Sequence, residues 1–161
     1  FVHNTETFGQ YYPIENSARF YYLAVPLLRE VQTGKLKRAL GDDYDALLSS
    51  FQDSDLSQFY EELLDLTRRA QVLSTLSLAV RRLNLQALPD GVVKALKSEG
   101  QTVNATRPAT IEEINYFSRR LEQDAQLAID DIRRKRAEQN PDSLRYQLLP
   151  ENDPKQKFAR T

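Results

Sequence analysis

Residues 55–85, DLSQFYEELLDLTRRAQVLSTLSLAVRRLNL, run without a glycine or a proline, and their apolar positions recur at steps of three and four. That spacing predicts one long helix from the Ser54 region to about Leu85, spanning ~45 Å at 1.5 Å per residue. Its second half, VLSTLSLAV, is apolar or small and carries no charge on any side, which is the composition of a helix covered all round. A helix of that kind needs other helices to cover it. The expected fold class is therefore all-α, a helical bundle of four to five helices around that axis, with an extended N-terminal arm and a C-terminal tail. At 161 residues the chain suits one domain with one core.

The covering helices are read from periodicity and punctuation. A first helix is expected to start at Asn16 as N-cap and to turn Phe20, Leu23, Ala24, Leu27, Leu28 and Val31 inward. Pro26 should kink it and Gly34 should stop it. A second runs from about Lys35 to Phe51, with Leu36, Leu40, Leu47, Leu48 and Phe51 inward and a break at GDD, residues 41–43. After Pro89, Asp90 and Gly91 come a short helix over residues 92–100 and a loop, QTVNATRP, which holds the glycosylation-type triplet Asn104-Ala-Thr106. The last helix opens at Thr110 with Glu113 three residues on, the spacing of a capping box, and carries Ile114, Phe117, Leu121, Ala125, Ala128 and Ile132 inward to near Asn140.

Both ends depart from this pattern. Seven of the chain's 15 aromatic residues fall in the first 22 positions. Residues 1–14 are expected to be an extended, aromatic-rich arm that lies either on its own bundle, residues 15–140, or on a partner. A bundle that closes without the arm should survive its deletion. Residues 141–161 read as an extended, proline-containing tail with a short apolar knot at Leu144, Tyr146, Leu148 and Leu149. A chain that opens at Phe1 and has no methionine is expected to be part of a longer translation product. No apolar run reaches the ~20 residues of a membrane-spanning helix.

Charge and chemistry narrow the functional classes. Lys and Arg number 22 against 23 Asp and Glu, so no global field draws the chain to nucleic acid or an anionic membrane. The basic cluster Arg133, Arg134, Lys135 and Arg136 sits in the last turns of a helix, where cations are favoured by the helix dipole. Asp130 and Asp131 stand four residues before Arg134 and Lys135, the spacing of intrahelical pairs. Four arginine doublets, at 68–69, 81–82, 119–120 and 133–134, are interleaved with acids in the same way. With no cysteine and one histidine, His3, there is no thiolate nucleophile, histidine triad or two-histidine metal site. Neither a GxGxxG nor a Walker loop occurs, and the carboxylate groups Glu61, Glu62, Asp65 and Asp42, Asp43, Asp45 read as solvated faces.

The reading that remains is a non-catalytic helical-bundle module that binds other protein subunits, as an accessory or scaffolding part of a larger assembly. Its expected contacts are Phe1, Phe8, Tyr11 and Tyr12 in the arm and Tyr146, Leu148 and Leu149 in the tail. No cofactor, metal or nucleic acid is expected. Two alternatives are a sensor or regulatory domain of a larger, membrane-anchored protein with a pocket at the Pro26 kink, and a nucleic-acid-binding domain using the arginine doublets.

Overall fold

The computed structural model describes residues 1–83, 88, 89, 92 and 110–139, and among these there is no strand. The chain is an all-α bundle built on two long helices, α5 (Gln58–Arg82) and α6 (Ile111–Gln139). They run antiparallel: Ser77 faces Ser118 near one end, and Glu62 pairs with Lys135 near the other. Shorter helices α1 (Thr5–Tyr11), α2 (Ala18–Val31), α3 (Lys37–Leu40) and α4 (Asp43–Asp53) wrap this pair.

The predicted axis is where the sequence puts it. Every residue from Ala70 to Val80 is buried except Leu78, which is half-buried, while Glu61, Glu62, Asp65 and Arg69 in the first half face solvent. Ser57, rather than the Ser54 region, caps α5 by accepting from the Tyr60 amide. Ser54 instead ends α4 in the left-handed conformation at φ 56°. Thr110 and Glu113 form the predicted capping box, each side chain accepting from the other's backbone amide at 3.2 and 2.7 Å.

The largest departure is at the N-terminus. Residues 5–11 are not extended but form α1, with Asn4 as N-cap accepting from Thr7 N at 2.7 Å. Phe8 and Ile14 are fully buried, and Phe1 and Val2 nearly so. Seven residues cannot hold a helix in water by themselves, so α1 owes its shape to the surface it packs on. Deletion of residues 1–14 would accordingly open the core instead of leaving a closed bundle.

Ser17 caps α2, and Asn16 stands before it in the left-handed region at φ 52°. Pro26 lies inside an unbroken α2, where the hydrogen bond it removes would have gone to the carbonyl of Tyr22; both residues are on the solvent side, and water can serve that carbonyl. Leu23, predicted inward, is 41% exposed. Gly34 does not stop the helix. Residues Gln32–Leu36 form a π-helical turn that leads directly into α3. One extra residue in that turn resets the helix phase, so Val31, Leu36 and Leu40 all enter the core. The stop comes at Gly41, the predicted break, whose φ of 53° favours glycine.

Two apolar clusters result. The first joins Phe8, Ile14 and Phe20 to Leu76 and Val80 of α5 and Phe117 and Leu121 of α6. The second joins Phe1, Val31, Leu36 and Leu47 to Leu63 and Leu64 of α5 and Ile132 of α6, with Leu48 and Phe51 half-buried against it. The short helix over residues 92–100, the loop with Asn104 and Thr106, and residues 140–161, which include Leu144, Tyr146, Leu148 and Leu149, lie outside the described residues except for Val92, which is buried.

Candidate interaction surface

The aromatic residues predicted as partner contacts at the N-terminus belong to the bundle. Phe1 packs edge-on to Tyr44 and Phe51 at centroid distances of 5.9 and 6.1 Å, and Phe8 packs edge-on to Phe20 at 5.8 Å. Neither ring has surface left for a partner. Tyr11 and Tyr12 are half-buried against the first cluster. The Tyr11 hydroxyl donates to Asp65 Oδ1 at 2.7 Å; burial, and next that carboxylate, push its pKa up to about 12.

The N-terminal segment is fastened by a buried amide network. Gln71, 1% exposed, donates from Nε2 to Leu28 O at 3.1 Å and to Gln32 Oε1 at 3.2 Å, and its Oε1 accepts from Val2 N at 3.3 Å. Gln32, at the start of the π turn, donates to the Tyr44 hydroxyl at 3.3 Å. Arg68 caps the same region, giving Nε–H to Phe1 O at 3.3 Å while its guanidinium lies 5.2 Å from the Phe51 ring centre. The π turn is thereby committed to structure.

The basic cluster is neutralised, though not at the predicted spacing. Arg133 pairs with Asp130 at 3.0 Å and Arg134 with Asp131 at 3.1 Å, three residues apart and not four. Lys135 reaches across to Glu62 at 2.5 Å, and Arg136 pairs with Asp43 and donates to Ala39 O at 3.1 Å. The last two are interhelical ties that spacing along one helix could not disclose. Arg136 also packs against Gly41, where an added Cβ would stand 3.1 Å from its guanidinium. Of the doublets, Arg82 makes two hydrogen bonds to Glu30, at 2.6 and 3.1 Å.

The acidic group on α5 forms one side of a shallow groove of ≈ 470 Å³ lined by Glu61, Glu62, Asp65, Leu66 and Lys135. The Lys135 ammonium, and then the Gln58 amide, hold the Glu62 carboxyl below its ordinary range. Among the described residues no three His, Cys, Asp or Glu side chains are grouped to hold a metal ion. His3 is exposed, 5.9 Å from the Phe51 ring. Among the described residues no helix is long and apolar enough to cross a membrane.

Five large apolar side chains stand exposed among the described residues. Tyr22 on α2 is 75% exposed beside Leu23, and on α6 Ile111, Tyr116 and Leu127 are 78%, 62% and 64% exposed. Of these, only Leu23 has a place in the helix faces read from the sequence, and that place is inward. The available signal was their position opposite the core stripe: Tyr116 and Leu127 fall between Phe117, Leu121, Ala125 and Ala128 on the other side of α6. Single exposed apolar residues are ordinary, but two on one helix face, three turns apart, form a strip. No family model, curated protein or solved structure matches this chain.

Proposed function

We propose that this chain is a non-catalytic helical bundle that works by binding other protein subunits, as an accessory or scaffolding component of a larger assembly. The observation that carries the reading is the set of large apolar side chains on the outer faces of α2 and α6, in a bundle whose buried amides and cross-helix charges are already engaged in holding it together. Tyr146, Leu148 and Leu149, which follow α6 in sequence, are further proposed contacts on the grounds of their apolar character alone. The pairing of Arg133, Arg134, Lys135 and Arg136 with acids supports a basic cluster that is not a duplex nucleic-acid site, because few phosphates would find an unpaired cation there.

The test is affinity capture from the source organism with quantitative mass spectrometry, comparing the full chain with Tyr22→Ser/Leu23→Ser and with Leu148→Ser/Leu149→Ser. One foreign protein recovered with the parent chain and depleted about tenfold with at least one variant is the expected result, since exposed aromatic and aliphatic anchors dominate interface energies. Equal recovery of every protein with all three baits would overturn the reading. So would sub-micromolar binding to duplex DNA that is lost in Arg133→Ala/Arg134→Ala.

A further inference from the structure

We propose that the N-terminal segment, residues 1–14, exchanges between two copies of this chain, each segment docking on the other copy's bundle in a two-fold dimer. This goes beyond the reading above and rests on a different part of the molecule, the turn that joins the segment to α2.

That turn is closed by one backbone hydrogen bond, from Ser17 N to Ile14 O at 3.0 Å, and its two central residues, Glu15 and Asn16, stand at φ 53° and 52°. Positive φ at both central positions is the pattern of a type I′ turn, which suits asparagine followed by glycine. Here the order is glutamate and then asparagine, so each central residue carries a Cβ and the first is a poor left-handed residue. Both side chains are exposed, so burial there does not offset the strain. Just before the turn the chain is already extended, with Tyr12 at φ −155° and ψ 127° ahead of Pro13. Opening residues 15 and 16 alone therefore converts the turn into about 10 Å of extended chain between Ile14 and Ser17.

The segment's grips lie beyond that turn. Phe8 packs on Phe20 of α2, the Tyr11 hydroxyl donates to Asp65 of α5, the Val2 amide donates to Gln71, and Phe1 O accepts from Arg68. A second copy offers the same receptor, so exchange keeps each of these contacts and changes only the turn. Ile14 is fully buried and travels with the segment, which fixes where the chain crosses from one body to the other.

Two opposing effects set the balance. A short tether holds each segment near its own receptor at a millimolar effective concentration, which favours the closed monomer. The closed turn is strained in each of two monomers and relaxed at both crossings of one dimer, and a short hinge under strain is the condition that favours swapping. Exchange therefore competes as the chain concentration approaches the millimolar range. The dimer is compact, because about 10 Å of chain is all that links Ile14 on one body to Ser17 on the other.

The test is sedimentation equilibrium of the full chain and two variants at Glu15, each refolded from urea at about 10 µM to about 1 mM so that segments choose their receptor anew. The parent should dimerise at the upper end. Glu15→Gly should weaken the dimer about tenfold or more, because glycine holds positive φ without strain and favours the closed turn in both chains. Glu15→Val should strengthen it by a similar factor, because a β-branched residue opposes positive φ. The position is exposed, and an unchanged circular dichroism spectrum shows that both variants fold. In a dimer refolded from equal amounts of isotope-labelled and unlabelled chain, isotope-filtered NMR should find the Phe8 ring of one chain against the partner's Phe20. A parent chain that stays monomeric at the highest concentration overturns the proposal. So does a dimer in which the Phe8–Phe20 contact stays within each chain, or one that is indifferent to both variants.

Discussion

Phe8 and Tyr116 are both aromatic residues on the polar-looking helices α1 and α6, yet Phe8 is wholly buried and Tyr116 is 62% exposed. The difference lies in what surrounds each helix. α1 is short and packs on the middle of α5, so its apolar side has Phe20 and Leu76 to meet, and it has little stability apart from that contact. α6 is a 29-residue helix whose inward stripe of Phe117, Leu121, Ala125, Ala128 and Ile132 satisfies the core by itself, and Tyr116 is left on the other side. A dense run of aromatics in a weak helix marks a demand for burial; an aromatic set among charges on a strong helix marks a surface that something else can use.

The largest test of this contrast is Phe8→Ala. A fully buried ring removed from the first cluster should cost about 3–5 kcal/mol, a large share of the ~5–15 kcal/mol that holds a typical domain together. Urea denaturation followed by circular dichroism measures it, and a loss near zero would return residues 1–14 to the status of a dispensable arm.

Gln71→Ala comes next. It strips Val2 N, Leu28 O and Gln32 of a buried partner and should cost about 2 kcal/mol. Hydrogen exchange should show α1 amides losing protection more than those of α6. Equal loss in both helices would mean that Gln71 supports the whole core and not the N-terminal segment in particular.

Tyr11→Phe sharpens the same border with a pH readout. The Tyr11 hydroxyl titrates near 12 in the folded chain against 10.0 when free, so the fold favours the neutral, protonated phenol. Its contribution is complete below pH 10 and fades as pH rises through 12. The stability difference between parent and variant should therefore shrink across that interval. A constant difference would show that the bond to Asp65 carries no weight; because Tyr11 is only half-buried, the effect is modest.

The smallest expected effect is at the other pole. Tyr116→Ala and Leu127→Ala should leave stability within about 0.5 kcal/mol of the parent, as surface changes do. A loss several times larger would place the strip in the chain's own core and remove it as a docking face.

Much of the bundle is legible because it is written locally. The capping box at Thr110 and Glu113, the glycine break at Gly41 and the uncharged half of α5 each depend on residues within a few turns of one another. At the N-terminus a signal was present but faint. Asn4 stands one residue before α1 and Glu6 lies in its first turn, a proper helix start. The helix it opens is only two turns long, so no periodicity accumulates. At Gly34 the local signal pointed the wrong way. Glycine there reads as a stop, but the backbone widens into a π turn and continues, with Thr33 Oγ1 donating to Arg29 O and Arg38 Nε to Gly34 O along it.

The sequence by itself determined that this protein is helical, which helix is central and which stripe of each long helix turns inward, because those properties follow from 3.6-residue periodicity and from the cost of burying charge. Tertiary structure alone decided that Phe1 and Phe8 are core residues, that Lys135 and Arg136 answer Glu62 and Asp43, and that Tyr116 and Leu127 stand in solvent. Each of those facts depends on which segments, dozens of residues apart, come to lie side by side. A side chain's spacing along its own helix fixes the direction it points, and only the packing of the whole chain fixes what it meets there.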